Sequence, residues 1–191
     1  MNKYLVVGLG NIGDEYNFTR HNIGFDCADV LAAKHNGRFS IDRLASKATI
    51  KIKNKAIIII KPSTYMNLSG KAFKYWMDKE NILVENTFTI VDDLALPLST
   101  IRIKGSGRDA GHNGLKNIQE TLGHDKYPKL RFGIGSEFSK GAQINFVLGK
   151  WKPEELDFVK KKIMLSVESI ESFVMQGLDK TMNQFNNQLI T

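Results

Sequence analysis

Two strand-length stretches of this 191-residue chain are apolar at every position: Tyr4-Leu5-Val6-Val7 and Ala56-Ile57-Ile58-Ile59-Ile60. A strand with no polar alternation is buried on both faces, so it belongs in the middle of a sheet covered by helices on each side. Residues 87–91 and 130–134 read as two further strands, and Ile101 with Ile103 marks another. Helical spacing fills the intervals. Ile23, Cys27, Ala28, Leu31 and Ala32 precede an Asn36-Gly37 stop, and Ala72, Phe73, Trp76 and Met77 follow Ser69, a residue able to cap the helix. Leu115, Ile118 and Leu122 end at Gly123, and the longest pattern runs from Pro153 through Leu156, Val159, Ile163, Val167, Ile170 and Val174 to Gly177. Ala48, Ile50 and Ile52 alternate with polar residues and lead through Asn54-Lys55 into the 56–60 run, a hairpin that Pro62 ends. The predicted fold is therefore α/β: a single three-layer α/β/α domain over residues 1–191, built around a mixed, largely parallel twisted sheet.

Composition narrows the function classes. One cysteine, Cys27, permits neither an internal disulfide nor a multi-cysteine zinc site, as expected of a reducing compartment. The opening Met1-Asn2-Lys3-Tyr4-Leu5 lacks a signal-peptide pattern, and no apolar run approaches the roughly 20 residues that span a bilayer, so a cytoplasmic protein with no membrane partner is expected. Lys and Arg number 27 against 20 Asp and Glu, a net charge of +7 that favours a polyanionic partner, nucleic acid first.

Several loops carry chemistry. Gly8-Leu9-Gly10-Asn11-Ile12-Gly13 matches G-x-G-x-x-G after a strand, but no helix starts at the third glycine and no acid ends a second strand about 20 residues on, so no dinucleotide is expected. The glycines instead let the chain turn tightly and hold Asn11 at the strand's carboxyl edge, where open α/β sheets bind ligands. His21 stands in a polar loop before a helix; with an ordinary pKa of about 6.5 it is the natural general base, an exposed surface histidine being the plain alternative. Asn67, in the loop after the 56–60 strand, offers donors and an acceptor suited to a peptide or ribose group, or serves a turn. Strand 87–91 ends in Asp92-Asp93, and a carboxylate that accepts from an imidazole N–H raises its basicity. Paired acids also bind magnesium or cap a loop, but no third acid clusters with them, so no metal is expected. The glycine-rich segment 104–114 lacks the G-K-S/T ending of an NTPase loop, and its His112 reads as a second base or as a loop-packing residue.

These segments together, Gly-Leu-Gly-Asn with Tyr16 and Thr19-Arg20-His21-Asn22, then Tyr65-Met66-Asn67-Leu68-Ser69-Gly70, then Asp92-Asp93-Leu94, then Gly111-His112-Asn113-Gly114-Leu115, closely resemble bacterial peptidyl-tRNA hydrolases over essentially the whole chain. The resemblance implies a monomeric enzyme without cofactor that cleaves the ester between peptide and tRNA, its partner being peptidyl-tRNA through acceptor stem, CCA end and peptide. It implies catalytic roles for His21 as base, Asp92 as its support and Asn11 in selecting N-blocked substrates. Tyr16, Tyr65, Met66, Asn67 and Asn113 match substrate-binding positions, and Lys104 with Arg131 a clamp for the tRNA 5′-phosphate. Ile12, Ala95 and Asp109-Ala110 depart from the family's usual residues. A non-catalytic basic RNA-binding protein is the alternative reading, and a dinucleotide-dependent reductase a more distant one.

Overall fold

The computed structural model describes residues 2–191. Its strands are β1 (Lys3–Gly8), β2 (Ser40–Asp42), β3 (Ala45–Ile52), β4 (Lys55–Pro62), β5 (Thr87–Asp93), β6 (Ile101–Lys104) and β7 (Lys129–Gly133). Its helices are α1 (Ile23–Lys34), α2 (Ser69–Lys79), α3 (Asn113–Leu122), α4 (Gln143–Val147), α5 (Leu156–Gln176) and α6 (Leu178–Phe185). The seven strands form one sheet in the order β2-β3-β4-β1-β5-β7-β6. β4, β1, β5 and β7 are parallel, while β2, β3 and β6 pair antiparallel at the flanks.

The apolar runs split between the two faces residue by residue. Tyr4, Val6, Ile57 and Ile59 join α1, α5 and α6 in one buried cluster. Leu5, Val7, Ile58 and Ile60 join α2 and α3 in the other. With both faces dry there is no polar alternation to see, which is the three-layer sandwich expected of these strands.

Some local expectations need correction. Ser69 does not cap α2 through its side chain; its hydroxyl donates to the Met66 carbonyl at 2.7 Å and closes the preceding short turn. The hairpin turn is Lys53-Asn54, with Lys55 already paired to Ile52, and β3 begins at Ala45 rather than at Ala48. Strand β2 and helices α4 and α6 had no pattern strong enough to read: β2 is three residues long and α4 buries none of its five. No helix among the described residues is long and apolar enough to cross a membrane.

The parallel strands deliver their last residues to one edge, and α1 is pressed onto that edge by glycine. A Cβ on Gly24 would lie 2.4 Å from the Leu9 nitrogen, 2.5 Å from its oxygen and 2.6 Å from the Ile90 oxygen; a Cβ on Gly8 would lie 2.2 Å from the Gly24 oxygen. Only a bare backbone fits there, and the short turn Arg20–Asn22 that enters α1 is thereby laid beside the end of β5. Gly24→Ala should destabilise the protein by about 2 kcal/mol or more, because backbone atoms cannot yield to the added methyl. Urea unfolding checks this; a gain of about 1 kcal/mol, as helix propensity alone gives, would show that the contact is not tight.

Candidate active site

Asp92 is the penultimate residue of β5, buried at the carboxyl end of the strand, with two imidazoles bound to its carboxylate. His21 Nδ1 lies 3.0 and 2.9 Å from its two oxygens, and His112 Nε2 lies 2.8 Å from Oδ1. The rest of the network assigns the protons. His112 is the N-cap of α3, and its Nδ1 accepts from the Gly114 and Leu115 amides at 3.1 and 3.4 Å. A nitrogen that accepts carries no proton, so the His112 proton sits on Nε2 and is donated to Asp92. His21 donates from Nδ1 to the same carboxylate, and its Nε2 keeps a lone pair. Burial works against the charged carboxylate, but the positive N–H ends of His112 and then of His21, through electrostatic attraction and the hydrogen bonds they donate, outweigh it and hold Asp92 well below the usual carboxylate range.

His112 is therefore neither second base nor simple loop packing. Both of its nitrogens are committed, one to a helix cap and one to Asp92. A polar residue standing just before Asn113-Gly114-Leu115, at the start of an apolar helical period, was a legible cap signal.

The groove beside this triad is a cavity of about 500 Å³ lined by His21, Asp92, Asp93, Asn113 and Arg131, by the 109–112 loop, and by Gln143, Ile144 and Val147 of α4. Asp93 has a different task from Asp92: its Oδ1 accepts from the Ala95 amide at 2.8 Å, and Oδ2 faces Arg131 at 3.5 Å.

The other expected residues divide by location. Asn11 is locked at both ends of its peptide, its N–H donating to Asn22 Oδ1 at 2.8 Å and its carbonyl accepting from Asn22 Nδ2 at 2.9 Å. Its Oδ1 accepts from the Met66 amide at 3.1 Å, which turns Nδ2 into the available donor. Met66 is buried, and a Cβ on Gly114 would meet its sulfur at 2.7 Å and Leu9 at 2.8 Å, so Met66 is a floor under the loop rather than an exposed contact. Tyr65 is 71% exposed and Asn67 is exposed beside it. Tyr16 is half-buried, its carbonyl accepting from the Thr19 hydroxyl at 2.8 Å. None of these five lines the His21 cavity itself.

Lys104 and Arg131 were expected together on an open basic face, and here the structure differs. They do flank the same residue: a Cβ on Gly107 would lie 3.9 Å from an Arg131 nitrogen and 4.0 Å from Lys104 Cδ. Lys104 is exposed, but Arg131 is only 8% exposed, already bound to Asp93 and to the Arg108 carbonyl. Alternating sides along a strand flanked by β5 and β6 put Arg131 under the 105–109 loop, which a reading of charge alone does not reveal.

His21, Asp92 and His112 place ligand atoms within 4.8 Å of one another, a spacing that a divalent ion could use. The proton arrangement does not suit one. With Nε2 on a metal, neutral His112 would carry its proton on Nδ1, pointed at two amide N–H groups. The donor set is built for protons.

A family model described as peptidyl-tRNA hydrolase matches residues 5–191. A peptidyl-tRNA hydrolase of Phocaeicola vulgatus is 53% identical over 186 residues, covering 97% of this chain and 100% of that one, and one from Bacteroides fragilis is 52% identical over the same length and coverage. Among solved structures, a peptidyl-tRNA hydrolase from Acinetobacter baumannii superposes with a TM-score of 0.92 at 32% identity, covering 98% of this chain and 96% of that one.

The two tasks of His112 can be separated. His112→Ala removes the cap, costing about 1 kcal/mol of stability, and leaves Asp92 with one imidazole. His112→Asn keeps a capping side chain and should restore most of that stability in thermal or urea unfolding. A His112→Asn protein no more stable than His112→Ala would contradict the cap assignment.

Proposed function

The chain belongs to the peptidyl-tRNA hydrolase family, and from its own geometry we propose that His21 is the general base that drives water onto the ester joining a peptide to tRNA. It is an enzyme, a hydrolase of peptidyl-tRNA. The observation that carries the His21 assignment is the division of labour around Asp92: one imidazole has both nitrogens committed, and the other keeps a lone pair beside a cavity.

In the proposed reaction His21 Nε2 takes a proton from water as the oxygen adds to the ester carbonyl. The tetrahedral intermediate then expels the ribose hydroxyl of the tRNA end, which receives the proton back from His21. Asp92 stabilises the imidazolium formed between these steps, and His112 keeps the carboxylate anionic and aligned. The Asn113 amide, which lines the same cavity, would be the neutral donor for the developing oxyanion. An aminoacyl ester is already activated, so a held water and a base suffice without a covalent nucleophile.

Asn11 presents Nδ2, a donor, and would meet the carbonyl oxygen of the peptide bond next to the ester, a group that a free aminoacyl end lacks. Tyr16, Tyr65 and Asn67 would contact the substrate from the β1 and β4 loops, with Met66 as the floor beneath. Lys104 would take the charge of the tRNA 5′-phosphate, while Arg131 shapes the Gly107 loop around it. The excess of cations would steer the RNA, and a monomer working in the cytoplasm fits this use.

Purified protein should release N-acetylated amino acid from tRNA, and His21→Asn should lower turnover by about 10² to 10⁴-fold while the fold is kept. Turnover within a few-fold of the parent would overturn the assignment, and RNA binding without any hydrolysis would favour a non-catalytic binder. Asn11→Asp should narrow the preference for blocked over free aminoacyl-tRNA, because a carboxylate attracts the ammonium of the free form. An unchanged ratio of the two hydrolysis rates would remove Asn11 from substrate selection.

A further inference from the structure

The residue before His21 is a buried cation that no reading of the reaction has used. Arg20 is 4% exposed. Its Nη1 donates to the Phe146 carbonyl at 3.2 Å, and its Nη2 pairs with Glu155 Oε2 at 3.1 Å. The guanidinium lies 4.3 Å from the Phe146 ring centre and 5.3 Å from that of Trp151. Glu155 Oε2 also accepts from the Lys152 amide at 2.8 Å, in the turn that starts α5. The backbone adds two ties of the same sense: the Arg20 N–H donates to the Gly149 carbonyl at 3.0 Å, and Thr19 bridges Lys150.

What these contacts hold is one wall of the catalytic cavity. Gln143, Ile144 and Val147 of α4 line it together with His21. α4 is five residues long and buries none of them, with Ile144 70% exposed, so burial contributes little to fixing its place. Phe146 and Val147 touch the core only at its rim. Arg20 is continuous in the chain with His21 on one side and bonded to α4 and the α5 turn on the other. Such a pair adds little net stability, yet it fixes geometry strongly, because the buried guanidinium left without its half-buried partner is an uncompensated charge. The Arg20 Nε, buried and without a partner among the described residues, fits a group placed for position rather than for maximal bonding.

We infer that Arg20 is a positioning residue for this reaction: with Glu155 as its anchor, its guanidinium pins α4, a wall of the cavity, to the turn that carries His21. The width of the cavity where the acyl group sits is thus set from the catalytic turn itself. His21 keeps its own support from Asp92, so loosening the pin weakens substrate binding more than it disturbs the base.

The inference rests on His21 being the base, and its test separates the two. Arg20→Lys keeps a charge but not the fork that reaches Phe146 and Glu155 together; Glu155→Gln keeps an acceptor for Lys152 but not the charge. In both variants, amide hydrogen exchange over residues 143–149 should accelerate relative to the central strands. KM for N-acetyl-aminoacyl-tRNA should rise by about tenfold, as the loss of a charged hydrogen bond implies. The pH at which kcat/KM reaches half its plateau should stay where it is, and kcat should fall only a few-fold. Should Arg20→Lys fail to fold, Glu155→Gln provides the reading alone. Unchanged exchange and KM would overturn the inference, and so would exchange that accelerates evenly along the chain, which would make the pair a general stabiliser. If His21→Asn retains turnover, the base assignment fails while local loosening of α4 still tests the pin.

Discussion

A buried carboxylate that accepts hydrogen bonds from two imidazoles is the interaction on which the site depends. Asp92 sits at the end of a central strand, where a lone negative charge would be costly, and is kept charged by His112 and His21. Each imidazole is then constrained by what else it touches. His112 is turned by the α3 amides so that only Nε2 can donate; His21 is held by Nδ1 and left with a basic Nε2. The chemistry follows from that asymmetry, since two histidines on one acid would otherwise be interchangeable.

The fold supplies the convergence. Asp92 comes from β5, His112 from the start of α3, His21 from the turn ahead of α1, and Asn11 from the loop after β1. The parallel strands bring their ends to one edge, and the contact of Gly24 with Leu9 and Ile90 brings α1 close enough for His21 to reach Asp92. Asn22 extends the same logic, clasping the Asn11 peptide with both ends of its amide so that the His21 turn and the Asn11 loop move as one piece. The excess of cations acts at longer range, a net charge of +7 giving a field that favours a polyanionic partner.

Much of this was legible in the residues. The 56–60 isoleucine run demanded a doubly covered strand, and Asp92 at a strand's carboxyl end with His21 before a helix made an acid–base pair readable. What escaped had physical reasons. Burial of Arg131 depends on which strands flank it, and a cation in a basic chain reads as surface until the register is known. The double commitment of His112 required three-dimensional knowledge of Asp92, although its place before Asn113-Gly114-Leu115 signalled a cap. Helix α4 has almost no burial to imprint a period on its sequence, and its position comes from polar ties to Arg20 and from the rim of the core. Met66 sits in a loop of polar residues, yet its side chain turns inward against Leu9 and Gly114.

Asp92 sorts the two histidines into opposite tautomers. Nitrogen-15 NMR of the imidazoles at neutral pH reads this directly. The structure calls for a neutral His21 with its proton on Nδ1 and a bare Nε2, and for a His112 with its proton on Nε2 and a bare Nδ1. A His21 protonated on Nε2, or a His112 protonated on Nδ1, would contradict it.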